Sequence, residues 1–280
     1  MTAHAGPRLV TSKKFHRAVS SKAFTLVPVF AFTFLIFAAI PRSTIAADLP
    51  RDSEFDYDPP APGSYALPVV KLAADGALLD ANNKAVNLRD LTHGRVTVLS
   101  FIYTRCAAPK ACPYATGVLG QLHDITANDK TLAKNMRLVS ISFDPEYDTP
   151  QHLATYSENV REEKSGCEWR FVTAKSRAEL EPILVAYDQA VDKKSNPTDP
   201  QGPLYHTLRV FLIDREGRIR NIYSSGTLDP RLVLADVKTL LLESSTRPSP
   251  VKRQSGPDFR GRAETTFTSA ATAATTSSCE

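Results

Sequence analysis

The chain has 280 residues, 42% of them hydrophobic, with 34 Lys and Arg against 30 Asp and Glu. That is room for one globular domain of moderate size plus tails. The formal charge of +4 comes from an acid-free leader: without the six basic residues ahead of Asp48 (Arg8, Lys13, Lys14, Arg17, Lys22, Arg42) the count is 28 basic to 30 acidic, which leaves the folded part no basic footprint for a nucleic-acid partner.

The basic leader runs into Ala23–Ile40, 18 residues without a charge, followed by small residues at Ala46 and Ala47. This length lies between a signal-peptide core and a membrane span, so residues 1–47 read as a cleavable signal or an uncleaved anchor. Either way the basic side stays in the cytoplasm and the remainder is exported. In a Gram-negative layout that means the periplasm, soluble after cleavage or tethered to the inner membrane. The compartment is then oxidising, and a free thiol pair there closes unless it is reduced or metallated.

Residues 48–68, rich in Pro and Asp, read as a linker, and the folded domain is expected over 69–243. Val69-Val-Lys-Leu72, the Asp75-Gly76 pair and Ala77-Leu-Leu79 predict an N-terminal β-hairpin, since Asp-Gly supplies the positive φ of a tight turn. Val96–Ile102 is nearly all β-branched or apolar and predicts a central strand covered on both faces. Pro113 suits the first turn of a helix whose apolar stripe is Ala115, Val118, Leu119, Leu122 and Ile125. Leu138–Phe143 predicts a second strand. Thr149-Pro150 caps a second helix with Leu153, Tyr156 and Val160 inward, and Trp169–Thr173 predicts a third strand. Ser176-Arg-Ala-Glu179 is a capping box for a third helix. A polar loop is expected from Gln189 to Pro203. Leu208–Ile213 and Arg218–Tyr223 then flank Asp214-Arg-Glu-Gly217 as a hairpin, and Asp229-Pro230 starts a last helix reaching about Glu243. The Ser-, Thr- and Ala-rich residues 244–280 are expected to be a disordered tail. Strand–helix alternation closing on a hairpin and a helix predicts an α/β thioredoxin-like fold: a mixed central sheet flanked by helices.

Cys106 and Cys112 fall where the first core strand hands over to its helix, with Lys110 between them. A thiol pair at such a turn either trades electrons as dithiol and disulfide or holds a soft metal such as Cu(I). His206 follows the Gly202-Pro203 loop and is expected to open the strand that ends at Asp214, beside the thiol turn. Two thiolates and one imidazole suit Cu(I), and Cu(II) with an added ligand, while zinc competes for the same donors. Methionines stand only at positions 1 and 136, which rules out a methionine-rich site. Asp144 is a further candidate near the metal or for a partner, and Arg105 a faint pointer to peroxide chemistry. Cys167 reads as a structural thiol and Cys279 as a free thiol in the tail. His93, His123 and His152 read as surface residues, Trp169 and Phe171 as core, and Asp148 as a turn and cap.

Together, Phe101-Ile-Tyr-Thr-x-Cys106, Cys112-Pro, Asp144-Pro-x-x-Asp-Thr-Pro150, Trp169-x-Phe-x-Thr173 and His206 ahead of Phe211-Leu-Ile-Asp-x-x-Gly217 resemble the Sco/SenC family over roughly Val69 to Leu242. The resemblance implies an exported or membrane-tethered thioredoxin-like protein that binds copper through Cys106, Cys112 and His206. It implies service in assembling a cuproenzyme such as the binuclear copper centre of cytochrome c oxidase, with subunit II as the recipient and a thiol reductant as a second partner. The family pair is usually Cys-x-x-x-Cys-Pro. Here two more residues intervene, Ala107 follows the first cysteine in place of Pro, and Tyr205 precedes His206 in place of an acidic residue. A thiol–disulfide oxidoreductase that reduces partner cysteines through Cys106 and Cys112 is the other reading of the same residues.

Overall fold

The computed structural model describes Leu49, Arg51, residues 53–161 and residues 166–246. The predicted signal or anchor, the tail beyond residue 246 and Cys279 lie outside the described residues. Among those described, no helix is long and apolar enough to cross a membrane.

The elements run β1 (Lys71–Leu72), β2 (Ala77–Asp80), β3 (Ala85–Asn87), α1 (Leu88–Thr92), β4 (Val96–Ile102), α2 (Cys112–Ala127), α3 (Lys130–Asn135), β5 (Met136–Ser142), α4 (Pro150–Val160), β6 (Glu168–Thr173), α5 (Arg177–Ala186), β7 (Val191–Lys193), β8 (Leu204–His206), β9 (Val210–Ile213), β10 (Arg218–Tyr223) and α6 (Pro230–Thr246). Eight strands form one mixed sheet in the order β1-β10-β9-β4-β5-β6-β2-β3. β4, β5 and β6 are parallel, and β9 joins β4 antiparallel. All seven residues of β4 are buried, as an apolar run in the middle of a helix-covered sheet must be. This is the predicted α/β, thioredoxin-like architecture, and the end of β4 delivers the thiol turn.

The predicted hairpin across Asp75-Gly76 does not form. β1 pairs with β10 at one edge of the sheet, whereas β2 pairs with β6 and β3 at the other. Gly76 is not at positive φ. Instead the Asp75 carboxylate accepts from the Gly76 and Arg89 amides (2.7 and 3.0 Å), and Leu88 N–H donates to the Gly76 carbonyl (2.8 Å), anchoring the pair to the start of α1. Glycine is needed there for packing, because a Cβ would stand 2.5 Å from the Ile183 Cδ1 of α5. Gly76→Ala is therefore expected to cost about 1–3 kcal/mol by overpacking, read from urea unfolding. The hairpin that does form joins β2 to β3. It turns through Asn83 at φ 60°, with the Asp80 carboxylate accepting from the Asn82 and Lys84 amides, both at 2.9 Å.

Three further expectations change. The polar stretch after Gln189 is not all loop: β7 and β8 make a two-stranded antiparallel sheet with Val191 opposite His206. His206 thus closes β8, and the strand ending near Asp214 begins only at Val210. His123, expected at the surface, is 3% exposed, its ring against Trp169 at 5.8 Å between centroids. The buried face of α2 is wider than the apolar stripe, taking in Thr116, His123 and Thr126. The capping assignments stand: Ser176 accepts from the Glu179 amide (3.2 Å), and Asp229 from the Arg231 amide (2.8 Å).

Candidate metal and thiol site

Leaving β4, the chain turns tightly. Cys106 N–H donates to the Tyr103 carbonyl (3.2 Å), and Ala111 N–H to the Ala108 carbonyl (3.0 Å). The five residues between the cysteines are taken up by this loop, so Cys112 opens α2 with Pro113 in its first turn. Both thiols are free and buried, Cys106 at 8% exposure and Cys112 at 2%. From the far side β8 brings His206, whose Nε2 lies 3.3 Å from the Cys112 Sγ. The two sulfurs and one ring nitrogen all lie within 4.8 Å of one another, and no other group of three or more His, Cys, Asp or Glu suited to a metal stands among the described residues. Donors bonded to one ion at about 2.0–2.3 Å lie roughly 3.5–4 Å apart, so the set closes on a metal with small side-chain movement.

The pair is electrostatically asymmetric. The Cys112 thiol donates to the Cys106 sulfur. With help from His206 and the Cys112 and Ala108 amides, and against burial, this brings Cys106 down to about 4. Burial, followed by the bond to and charge of Cys106, pushes Cys112 far up. The pair therefore favours the thiolate on Cys106 and the proton on Cys112, at the N-terminus of a helix, a setting that favours negative sulfur. Burial pushes Cys167 up to about 11 and leaves it inert. Because the thiolate is the nucleophile, alkylation of the apo protein is expected at Cys106 from about pH 5 upward, with Cys112 and Cys167 unreactive at pH 7. Mass mapping after a brief iodoacetamide pulse checks this.

The other candidates are placed differently. Arg105 pairs with Asp144 (2.5 and 3.2 Å) and lies over the Tyr147 ring at 4.2 Å, so both charges are spent on each other beside the site. Lys110 pairs with Glu54 and lies over Tyr114 at 5.9 Å. Asp148 does more than turn the chain. Fully buried, it accepts from the Thr104 amide (3.0 Å), the Thr104 hydroxyl and the Ser142 hydroxyl (2.5 Å), holding the thiol turn from behind. The cap of α4 is Thr149, which accepts from His152 N–H (3.3 Å). Sequence reasoning also missed the aromatic seat of His206, made by Phe143 (5.1 Å) and Tyr103 (5.4 Å).

A thioredoxin-like sheet carrying a Cys–Cys–His group at the end of its central strand defines a thiol- or metal-handling protein. The family model described as SCO1/SenC matches residues 70–242, and the chain belongs to that family. It is similar to a SCO1 protein homolog of Bacillus subtilis (strain 168), 28% identical over 159 residues, 56% of this chain and 77% of that one. Among solved structures it resembles a SCO1/SenC family lipoprotein from Bacillus anthracis str. Ames, at 24% identity and TM-score 0.53 over 63% of this chain and 99% of that one. It also resembles Arabidopsis thaliana ScoI with copper bound, at 20% identity and TM-score 0.51 over 61% and 99%.

Proposed function

We propose that the chain is an exported metallochaperone that carries one copper ion on Cys106, Cys112 and His206 and passes it to a cuproenzyme, such as subunit II of cytochrome c oxidase. The observation that carries this reading is the convergence of the three donor atoms within 4.8 Å from segments far apart in sequence. Family membership supports it, as does the donor chemistry: two soft sulfurs and one imidazole match Cu(I). In this reading residues 1–47 export or tether the protein, 48–68 link it to the inner membrane, and 69–243 work in the periplasm.

Copper is the cargo. Cys106 offers a ready thiolate, Cys112 gives up its proton as it takes the metal, and His206 completes the set through Nε2. Transfer proceeds by ligand exchange with the recipient's own donors. If a thiol oxidant takes two electrons from the pair, Cys106 and Cys112 join as a disulfide and both sulfur ligands are lost, until a thiol reductant restores them.

The free pair itself, Cys106 on the turn and Cys112 opening α2 alongside as a resolving thiol, favours a second reading: exchange with partner disulfides. Anaerobic titration of the reduced full chain with Cu(I) against a competing chelator separates the two. One tightly held copper per chain is expected. Weak or non-stoichiometric binding would overturn the metallochaperone reading and leave thiol exchange, for which the pair's reduction potential is the next quantity.

A further inference from the structure

The two halves of the donor set arrive from chain segments 94 residues apart, Cys112 at the start of α2 and His206 at the end of β8. We propose that Tyr103 is the positioning residue that joins them, fixing the thiol turn with its backbone and the His206 arm with its side chain. This rests on the copper-binding reading above.

Tyr103 is the first residue past β4 and is 1% exposed. Its carbonyl accepts from Cys106 N–H (3.2 Å), which closes the turn that presents the first sulfur. Its ring meets the His206 imidazole edge-on, at 5.4 Å and 88°, while Phe143 takes the imidazole from another direction at 5.1 Å and 45°. Its hydroxyl is shared between the carbonyls of Gln201 (3.3 Å) and Leu204 (3.4 Å), which bracket Gly202-Pro203 and lead into β8. The Gln201 carbonyl also accepts from Ala107 N–H (3.3 Å), so the phenol and the thiol loop grip the same peptide.

The fit is close. Gly202 sits at φ +97°, and a Cβ on it would stand 2.2 Å from the Tyr103 hydroxyl and 2.7 Å from the Arg105 carbonyl. The His206 loop lies with bare backbone on the phenol and the thiol turn. One hydroxyl proton serves two long carbonyl contacts and also faces the Cys106 sulfur, so the hydroxyl alone is a modest tether; the ring seat is its complement. Such a joint sets where Nε2 waits before metal arrives, as partners behind a metal ligand commonly do.

The test is a double-variant cycle on the reduced full chain: wild type, Tyr103→Phe, His206→Ala and the pair, each titrated with Cu(I) against a chelator. Thermal unfolding of each apo form runs alongside. Tyr103→Phe keeps the ring and removes only the hydroxyl. It is expected to weaken copper by about tenfold in the wild-type background, the lower end of what such partners contribute, and by less than about twofold once His206 is gone. In the apo protein, Tyr103→Phe is expected to broaden or shift the His206 imidazole signals in nitrogen-15 NMR and leave the fold's other resonances in place. An equal loss in both backgrounds would overturn the proposal, because Tyr103 would then act through the thiols or the fold. No loss in wild type, with His206 signals unmoved, would overturn it too. A silent His206→Ala in the presence of tight copper would show that the ligand assignment itself had failed; unmoved apo NMR signals would still count against Tyr103 separately.

Discussion

Cys112→Ala is expected to abolish tight Cu(I) binding, with affinity falling by more than about 1000-fold. Partners behind a metal ligand are typically worth 10–100-fold, and a directly bonded thiolate is worth more. The loss has two parts. One sulfur disappears from a set of three. The thiol that donates to Cys106 disappears with it, and since that bond is the largest influence holding Cys106 near 4, the remaining thiol moves back toward its ordinary range. At pH 7 the variant therefore offers fewer donors, and the one left is more protonated. Cys106→Ala should cost a similar factor. His206→Ala should cost less, about 10–100-fold, because two thiolates alone still hold Cu(I). Removing one buried sulfur leaves a small void, so the apo fold should lose only about 1 kcal/mol. Retention of copper within tenfold in Cys112→Ala, by chelator competition, would contradict the assignment.

Asp148→Ala is expected to be the most damaging change near the site outside the donors, at about 3 kcal/mol. The carboxylate is buried and is the acceptor for the Thr104 amide and hydroxyl and the Ser142 hydroxyl. Without it, the buried Ser142 hydroxyl and two part-buried donors of Thr104 lose their partner, and each unsatisfied buried group costs roughly 1–3 kcal/mol, part of which local rearrangement and water recover. For a domain of this size that corresponds to a fall of about 6–12 °C in Tm. Thr104 stands two residues before Cys106, so copper affinity should fall as well. Asp148→Asn, which keeps acceptor capacity in one oxygen, should lie between wild type and alanine. A loss below about 1 kcal/mol for Asp148→Ala would mean that the residue serves only the turn into α4.

The sequence made some parts of this molecule plain and hid others for physical reasons. β4 was legible because a strand buried on both faces must be a continuous apolar run, and Val96–Ile102 is one. The thiol turn was legible because cysteines so placed have few other uses. The N-terminal hairpin does not follow from Asp-Gly because that pair has two meanings. It can supply positive φ, or, as at Asp75-Gly76, an amide acceptor and a gap for Ile183. The strand carrying His206 was hidden because a three-residue strand in polar surroundings has no periodicity, and its partner Val191–Lys193 is equally short. His123 looked exposed because its burial depends on Trp169 from a distant strand. The same holds for the Tyr103 joint: its contacts lie about 100 residues away and no local pattern announces them. Asp148 was hidden by its own motif, since an Asp before Thr-Pro satisfies a capping rule whether or not its carboxylate also faces inward.

The most direct measurement of the central claim is X-ray absorption at the copper edge of the reduced, Cu(I)-loaded full chain. Three-coordinate copper with two sulfurs and one nitrogen is expected, the nitrogen shell vanishing in His206→Ala and the sulfur count falling to one in Cys112→Ala. A wild-type spectrum without two sulfur ligands, or one unaltered by His206→Ala, would contradict it.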